Sequence, residues 1–148
     1  MKRAFNDSFP APKGRIELCF YNADGEEVGY LRVDNLVVDS GRAMMAAAAG
    51  VLADSIGLGT NGAAAAPGDV APLADQVIKA VDAVTYPDPR TTRFAFTIDT
   101  DEFNDQTIRE MALLHTVGES AVLFARRGGL SIDKSEDIRI VGTWTINF

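Results

Sequence analysis

Alternation of apolar and polar positions is the dominant signal along this chain. Arg15-Ile16-Glu17-Leu18-Cys19-Phe20-Tyr21 alternates for most of its length, and Val28 to Val38 is a second run rich in β-formers. Side chains two apart share one face of a strand, so each run predicts a strand. Between them, Asn22-Ala23-Asp24-Gly25 carries the chemistry of a tight turn, because glycine tolerates positive φ and aspartate bonds nearby backbone. A hairpin is expected. Further β-rich segments follow at Gln76 to Tyr86, Thr91 to Thr100, Thr107 to His115, Ala121 to Arg126 and Ile138 to Phe148. In the last of these Trp144, Ile146 and Phe148 share a face, with Thr143, Thr145 and Asn147 expected to point outward. That strict alternation predicts a terminus pinned inside a sheet.

The period changes once. From Gly41 to about Leu52, Ala43, Met44, Ala47, Ala48 and Val51 recur at helical spacing, with Asp39 or Ser40 available as a cap. The small side chains of Ala46 to Ala49 would let this helix approach a sheet closely. Two stretches break both periods. Residues 1–13, with Phe5, Phe9, Pro10 and Pro12, read as an irregular arm, and Ile56 to Pro72 as an extended loop of glycine, alanine and proline. The expected fold is therefore mainly β, an antiparallel β-sandwich over residues 14–148 with one short alanine-rich helix and a long loop. No internal repeat and no regular strand-helix alternation is visible.

Composition narrows the functional classes. At 148 residues the chain can bury roughly 70% of its unfolded surface, enough for a real core. Its 47% hydrophobic and 24% charged residues are ordinary for a globular domain, and no apolar run approaches the roughly 18 residues of a spanning helix. A net charge of −7 argues against nucleic acid and anionic lipid as partners. Cys19 is the single cysteine, which suits maturation in a reducing cytoplasm. Met1-Lys2-Arg3 opens with charge, but Asn6, Asp7, Ser8, Pro10 and Pro12 interrupt the apolar core an export signal needs, so none is expected.

Candidate chemistry is sparse. Gly57-Leu58-Gly59-Thr60-Asn61-Gly62 fits G-x-G-x-x-G, yet a dinucleotide site needs a strand before it and a helix after, whereas a helix precedes and Pro67-Gly68 follows. A structural loop without cofactor is expected. Asp99, Asp101, Asn104 and Asp105 crowd oxygen ligands, but an EF-hand would need an oxygen at Phe103 and a glycine at Asn104, so a solvated loop without metal is expected. His115 is the only histidine, and Cys19 is expected to face the core as a small hydrophobe rather than pair with it. Glu102 and Glu110 are expected to be solvated charges. Arg126-Arg127-Gly128-Gly129 reads as an exposed turn or as a receiver for a neighbour's carboxylate. Trp144, Phe94, Phe96, Phe124 and Phe148 are expected to form core rather than a sugar-stacking platform. No catalytic residue emerges.

Taken in order, several short stretches resemble a domain of tailed-bacteriophage tail-fibre, collar-fibre and baseplate proteins, from about Asn35 to Phe148. They are Asn35-Leu36-Val37-Val38 before the alanine helix, Ile56-Gly57-Leu58-Gly59-Thr60, Ala66-Pro67, and Phe94-Ala95-Phe96-Thr97. Ile108-Arg109-Glu110, Leu123-Phe124-Ala125-Arg126, Lys134 and Thr143-Trp144-Thr145-Ile146-Asn147-Phe148 complete the series. The chain departs from the family pattern at Ala112, where glycine is usual. The resemblance implies a structural role in a virion, assembled in the bacterial cytoplasm, with other phage proteins as partners. It also implies a homo-oligomer, a trimer if the chain is a fibre or fibre adaptor. The interface candidates are Phe5, Phe9, Leu58, Thr60, Asn61, Arg126 and Arg127. A host-surface carbohydrate-binding module and a capsid decoration protein are the alternative readings.

Overall fold

A computed structural model describes residues 3–8, 10, 12–69, 74 and 76–148. The element order is β1 (Arg3–Ser8), β2 (Lys13–Tyr21), β3 (Glu27–Leu36), α1 (Asp39–Leu52), β4 (Ser55–Gly59), β5 (Val77–Ala80) and β6 (Ala83–Asp88), continuing with β7 (Thr91–Ile98), β8 (Gln106–Ile108), β9 (Glu110–Val117), β10 (Ser120–Arg127), β11 (Ile132–Lys134) and β12 (Ile140–Asn147). The fold is mainly β, with antiparallel sheets packed together as a sandwich and one helix. One sheet runs β1-β12-β7-β6 and the other β10-β9-β4-β5. β8 pairs with β11, and β2 with β3 as a separate two-stranded ribbon.

The core is built where alternation is strictest. Phe94, Phe96 and Ile98 on β7 and Trp144 and Ile146 on β12 point inward, joined by Phe148. Trp144 lies directly opposite Phe94 in the β12–β7 register, so the two largest core side chains are cross-strand partners. Ile56 and Leu58 of β4, with Met111 and Leu113 of β9, close the core from the facing sheet. α1 is sealed to it by Ala46, Ala49 and Ala53, and the buried Thr92 hydroxyl donates to the Ala46 carbonyl at 2.6 Å. Alanines at that contact let the helix backbone approach β7 closely.

Several expectations are corrected. Residues 3–8 are a strand rather than an irregular arm, pairing in parallel with β12, whose edge offers unpaired backbone groups. Ser55–Gly59 is a fully buried strand between β5 and β9, not the start of a loop. Its glycines concealed it, since they add no side chain to the alternation. Gln76 to Tyr86 is two strands in different sheets: the chain leaves β5 at Ala80 and enters the opposite sheet at Ala83. Thr107 to His115 likewise divides at Arg109 into β8 and β9. β11 carries too few residues to show a period.

α1 buries the face opposite to the one its larger residues mark: Ala46 and Ala49 are inside, and Met44, Ala47, Ala48 and Val51 outside. Its N-cap is Val38 with no side-chain cap; Asp39 lies in the first turn and receives Arg90 at 3.0 Å. Cys19 is exposed on the ribbon rather than buried. Thr145 lies on the face opposite Trp144 and Ile146, as alternation requires, but is buried there, its hydroxyl accepting from Arg93 Nε at 3.3 Å.

Because Trp144 is buried in this core, Trp144→Ala is expected to cost about 3–5 kcal/mol. Removing residues 144–148 is expected to abolish the cooperative urea transition. A truncated chain that still melts cooperatively at an unchanged midpoint would show that β12 is dispensable.

Candidate functional site

The densest polar arrangement in the described fold is built on β9 and β10. Glu110 begins β9 and Arg126 lies near the end of β10, and both side chains are buried, 1% and 7% exposed. Arg126 Nε and Nη2 hold Glu110 Oε2 at 2.9 and 2.8 Å. The remaining N–H groups of the guanidinium reach the loop after β4: Nη1 donates to the Ala63 carbonyl at 3.1 Å and to Asp69 Oδ2 at 3.2 Å, and Nη2 to the Asn61 carbonyl at 3.1 Å. Glu110 Oε1 in turn accepts the backbone N–H groups of Asn61 and Ala74 at 3.0 and 2.9 Å.

The bookkeeping closes. A guanidinium has five N–H donors and a carboxylate about four lone-pair sites, and all of them are used. Asp69 Oδ2 also accepts Ala66 N–H at 2.9 Å, which folds the loop's apex back on itself. Thr60 N–H bonds the Ala74 carbonyl and Gly129 N–H the Gly62 carbonyl. Gly128 is required by close approach, since a Cβ there would run into the Ala63 carbonyl. Ala65, Ala66 and Pro67 of the loop, with Phe124 of β10, line an open cleft of about 440 Å³ over this clasp.

These positions revise the interface candidates. Leu58 is a fully buried core residue. Arg126 spends its charge on Glu110 and Asp69 of its own chain rather than on a neighbour. The backbone of Asn61 is consumed by the clasp, and Thr60 is half-buried beside it. Arg127 is exposed at the end of β10. Phe5 lies on β1, with only its backbone described, and Phe9 falls outside the described residues. Glu110, expected to be solvated, is the centre of the arrangement. Ile108-Arg109-Glu110 stands out only through the resemblance, and the local sequence of Glu110 gives no sign of burial, because its partners lie 16 and 49 residues away.

The other candidates are dispersed. Gly57 and Gly59 lie within β4, and the next element is a strand, so no helix N-terminus faces them. His115 Nδ1 is 2.7 Å from the Leu52 carbonyl, which makes it the protonated nitrogen, and 3.5 Å from Asp54. Cys19 stands on the ribbon, and no hydrogen bond joins it to His115 among the described residues. Asp99 meets Arg139 at 3.2 Å, and Asn104 receives the buried Lys134 ammonium at 2.8 Å. No group of three or more histidine, cysteine or acidic side chains converges among the described residues. Glu102 is bound through both oxygens by Lys79 Nζ at 2.8 and 2.6 Å. That hydrogen bond holds the Glu102 carboxyl below its ordinary value of 4.5, against an opposing push from burial.

Arg126→Ala leaves a buried carboxylate unpaired and is expected to cost about 3–5 kcal/mol, whereas Glu110→Met combined with Arg126→Leu should cost less than either single change. Urea denaturation of the single and double variants checks this, and equal losses for single and double variants would refute it. Because the folded-state pKa of Glu102 is depressed, its contribution is full above about pH 4.5 and is lost as pH falls through the lower folded value. Lys79→Met should therefore destabilise the protein near neutrality and converge with wild type in acid, as measured by stability against pH.

No family model matches the chain, and neither a curated protein nor a solved structure similar to it is found.

Proposed function

We propose that this chain is a structural subunit of a bacteriophage virion, a tail, collar or baseplate protein that joins or supports fibres through protein–protein contacts. The observation that carries the assembly reading is the ribbon of β2 and β3, which pairs with itself and packs on no other element to a comparable extent. Nine large apolar side chains between Ile16 and Leu36 remain exposed on it. A two-stranded ribbon is marginal in water, and such a surface is what an assembling protein presents. The phage assignment rests on the sequence resemblance, and the virion would be its location.

The clasp suits the same role. Its charges are spent on holding a loop's shape, which presents Ala63 to Pro67 as a fixed exposed surface. The carbohydrate-binding alternative draws less support, because Trp144, Phe94, Phe96 and Phe148 lie inside the core and only Phe124 of that group is exposed.

Mass spectrometry and immunogold labelling of purified tailed particles test the reading. The chain is expected in the particle, localised to the tail, collar or baseplate, and its deletion should yield particles lacking fibres. Particles of normal composition that never contain the chain would overturn it.

A further inference from the structure

Two apolar surfaces stand exposed among the described residues, although Tyr86 reaches one flank of the second, its hydroxyl donating to the Ala47 carbonyl at 3.5 Å. The first is one face of the ribbon. The register sets Ile16 opposite Val33 and Leu18 opposite Leu31, with Phe20 next along β2, so these five side chains share a side. Each is between 41% and 48% exposed. The charges of the ribbon stem lie on the other side, where Glu17 meets Arg15 at 3.9 Å and Arg32 at 3.6 Å. The second surface is the outer face of α1. No charged residue occurs from Ala43 to Ala53, and Met44 and Val51 stand 70% and 75% exposed. A helix that is apolar all round normally has both sides covered.

Within one chain the two surfaces do not cover each other. The inner face of α1 is seated on β7, and the ribbon face and the outer face of α1 both stand exposed.

We propose that the ribbon of one copy lies across the outer face of α1 of a second copy, so that the chain assembles head to tail into a closed ring. Both surfaces are free of charge, which matters for copies that each carry −7 and would otherwise repel. Their areas also match. At roughly 200 Å² for a complete large side chain, the five ribbon residues present about 450 Å². Met44, Val51 and Leu52 of α1 present about 400 Å². One such contact, with the intervening alanines and backbone, sits near the roughly 1,000 Å² at which specific interfaces begin. Ring closure engages both surfaces of every copy and doubles what holds it. The contact is heterologous, since ribbon and helix are different surfaces.

This inference deepens the assembly reading and rests on it, but the two fail separately: particle analysis asks where the chain resides, and self-association is read on purified protein. Sedimentation velocity of the full chain is the test. Wild type is expected to sediment as a closed oligomer at about 100 µM. Leu18→Glu and Val51→Glu should each be monomeric, with Trp144 fluorescence still that of a folded core. Mixed in equal amounts, the two variants retain one intact ribbon-helix contact and should form a dimer. The milder Phe20→Ser and Met44→Gln repeat the comparison if either glutamate unfolds the chain. A monomeric wild type overturns the proposal. So does an oligomer that Val51→Glu leaves intact, which would place ribbon against ribbon, or a variant mixture that stays monomeric.

Discussion

Arg126 and Glu110 bury opposite charges beneath a loop that has few side chains with which to hold a shape of its own. From Ala63 to Ala66 the loop is four consecutive alanines, and alanine supplies neither a hydrogen bond nor much apolar area. What orders it is the backbone, whose carbonyls at Asn61 and Ala63 face a guanidinium and whose N–H groups at Asn61 and Ala74 face a carboxylate. Burying two charges costs several kcal/mol each, and the arrangement is tolerable only because no donor or acceptor is left over. The same pair ties β9 to β10 at the end of the sheet opposite their connecting turn. The loop, the sheet and the ion pair are therefore one unit.

The rest of the fold divides its apolar residues unequally. The inward-facing aromatic and aliphatic side chains of β4, β7, β9 and β12 form a contiguous core with the inner alanines of α1, while Ala112 and Leu114 of β9 make a smaller cluster with Ala121 and Leu123. The ribbon and the outer face of α1 hold comparable residues in the open. A core of the first kind stabilises a single chain. A surface of the second kind, at this extent, is what a chain carries when its working state includes neighbours.

Charge elsewhere is arranged to restrain loops. Lys79 and Glu102 tie the edge strand β5 to the turn after β7, and Arg139 and Lys134 gather Asp99 and Asn104 in that same turn. Phe103 and Asp105 both adopt positive φ there, a conformation costly for residues other than glycine, and the surrounding ion pairs and the burial of Phe103 hold it. Asp54 plays a similar part at the end of α1. Partial burial pushes its carboxyl up, but hydrogen bonds from Ser55 and Thr116 outweigh that and leave it below the ordinary aspartate range.

Local periodicity by itself determined the class of the protein and most of its pieces. The ribbon with its turn at Asn22–Glu26, the helix, and the strands carrying Phe94 and Trp144 each follow from short-range alternation or helical spacing, because steric and solvation preferences act on neighbouring residues. The burial of Trp144, Ile146 and Phe148 followed from the same rule. Tertiary structure alone decided the rest. β4 is buried because strands on both sides enclose it, although its glycines erase the pattern. α1 turns its alanines inward because close approach to β7 rewards small side chains more than large ones, which reversed the face that hydrophobicity suggested. Glu110 and Arg126 look like ordinary surface charges until β9, β10 and the loop after β4 come together, since a charge becomes a buried partner only when residues distant in the chain remove its water and replace every hydrogen bond that water supplied.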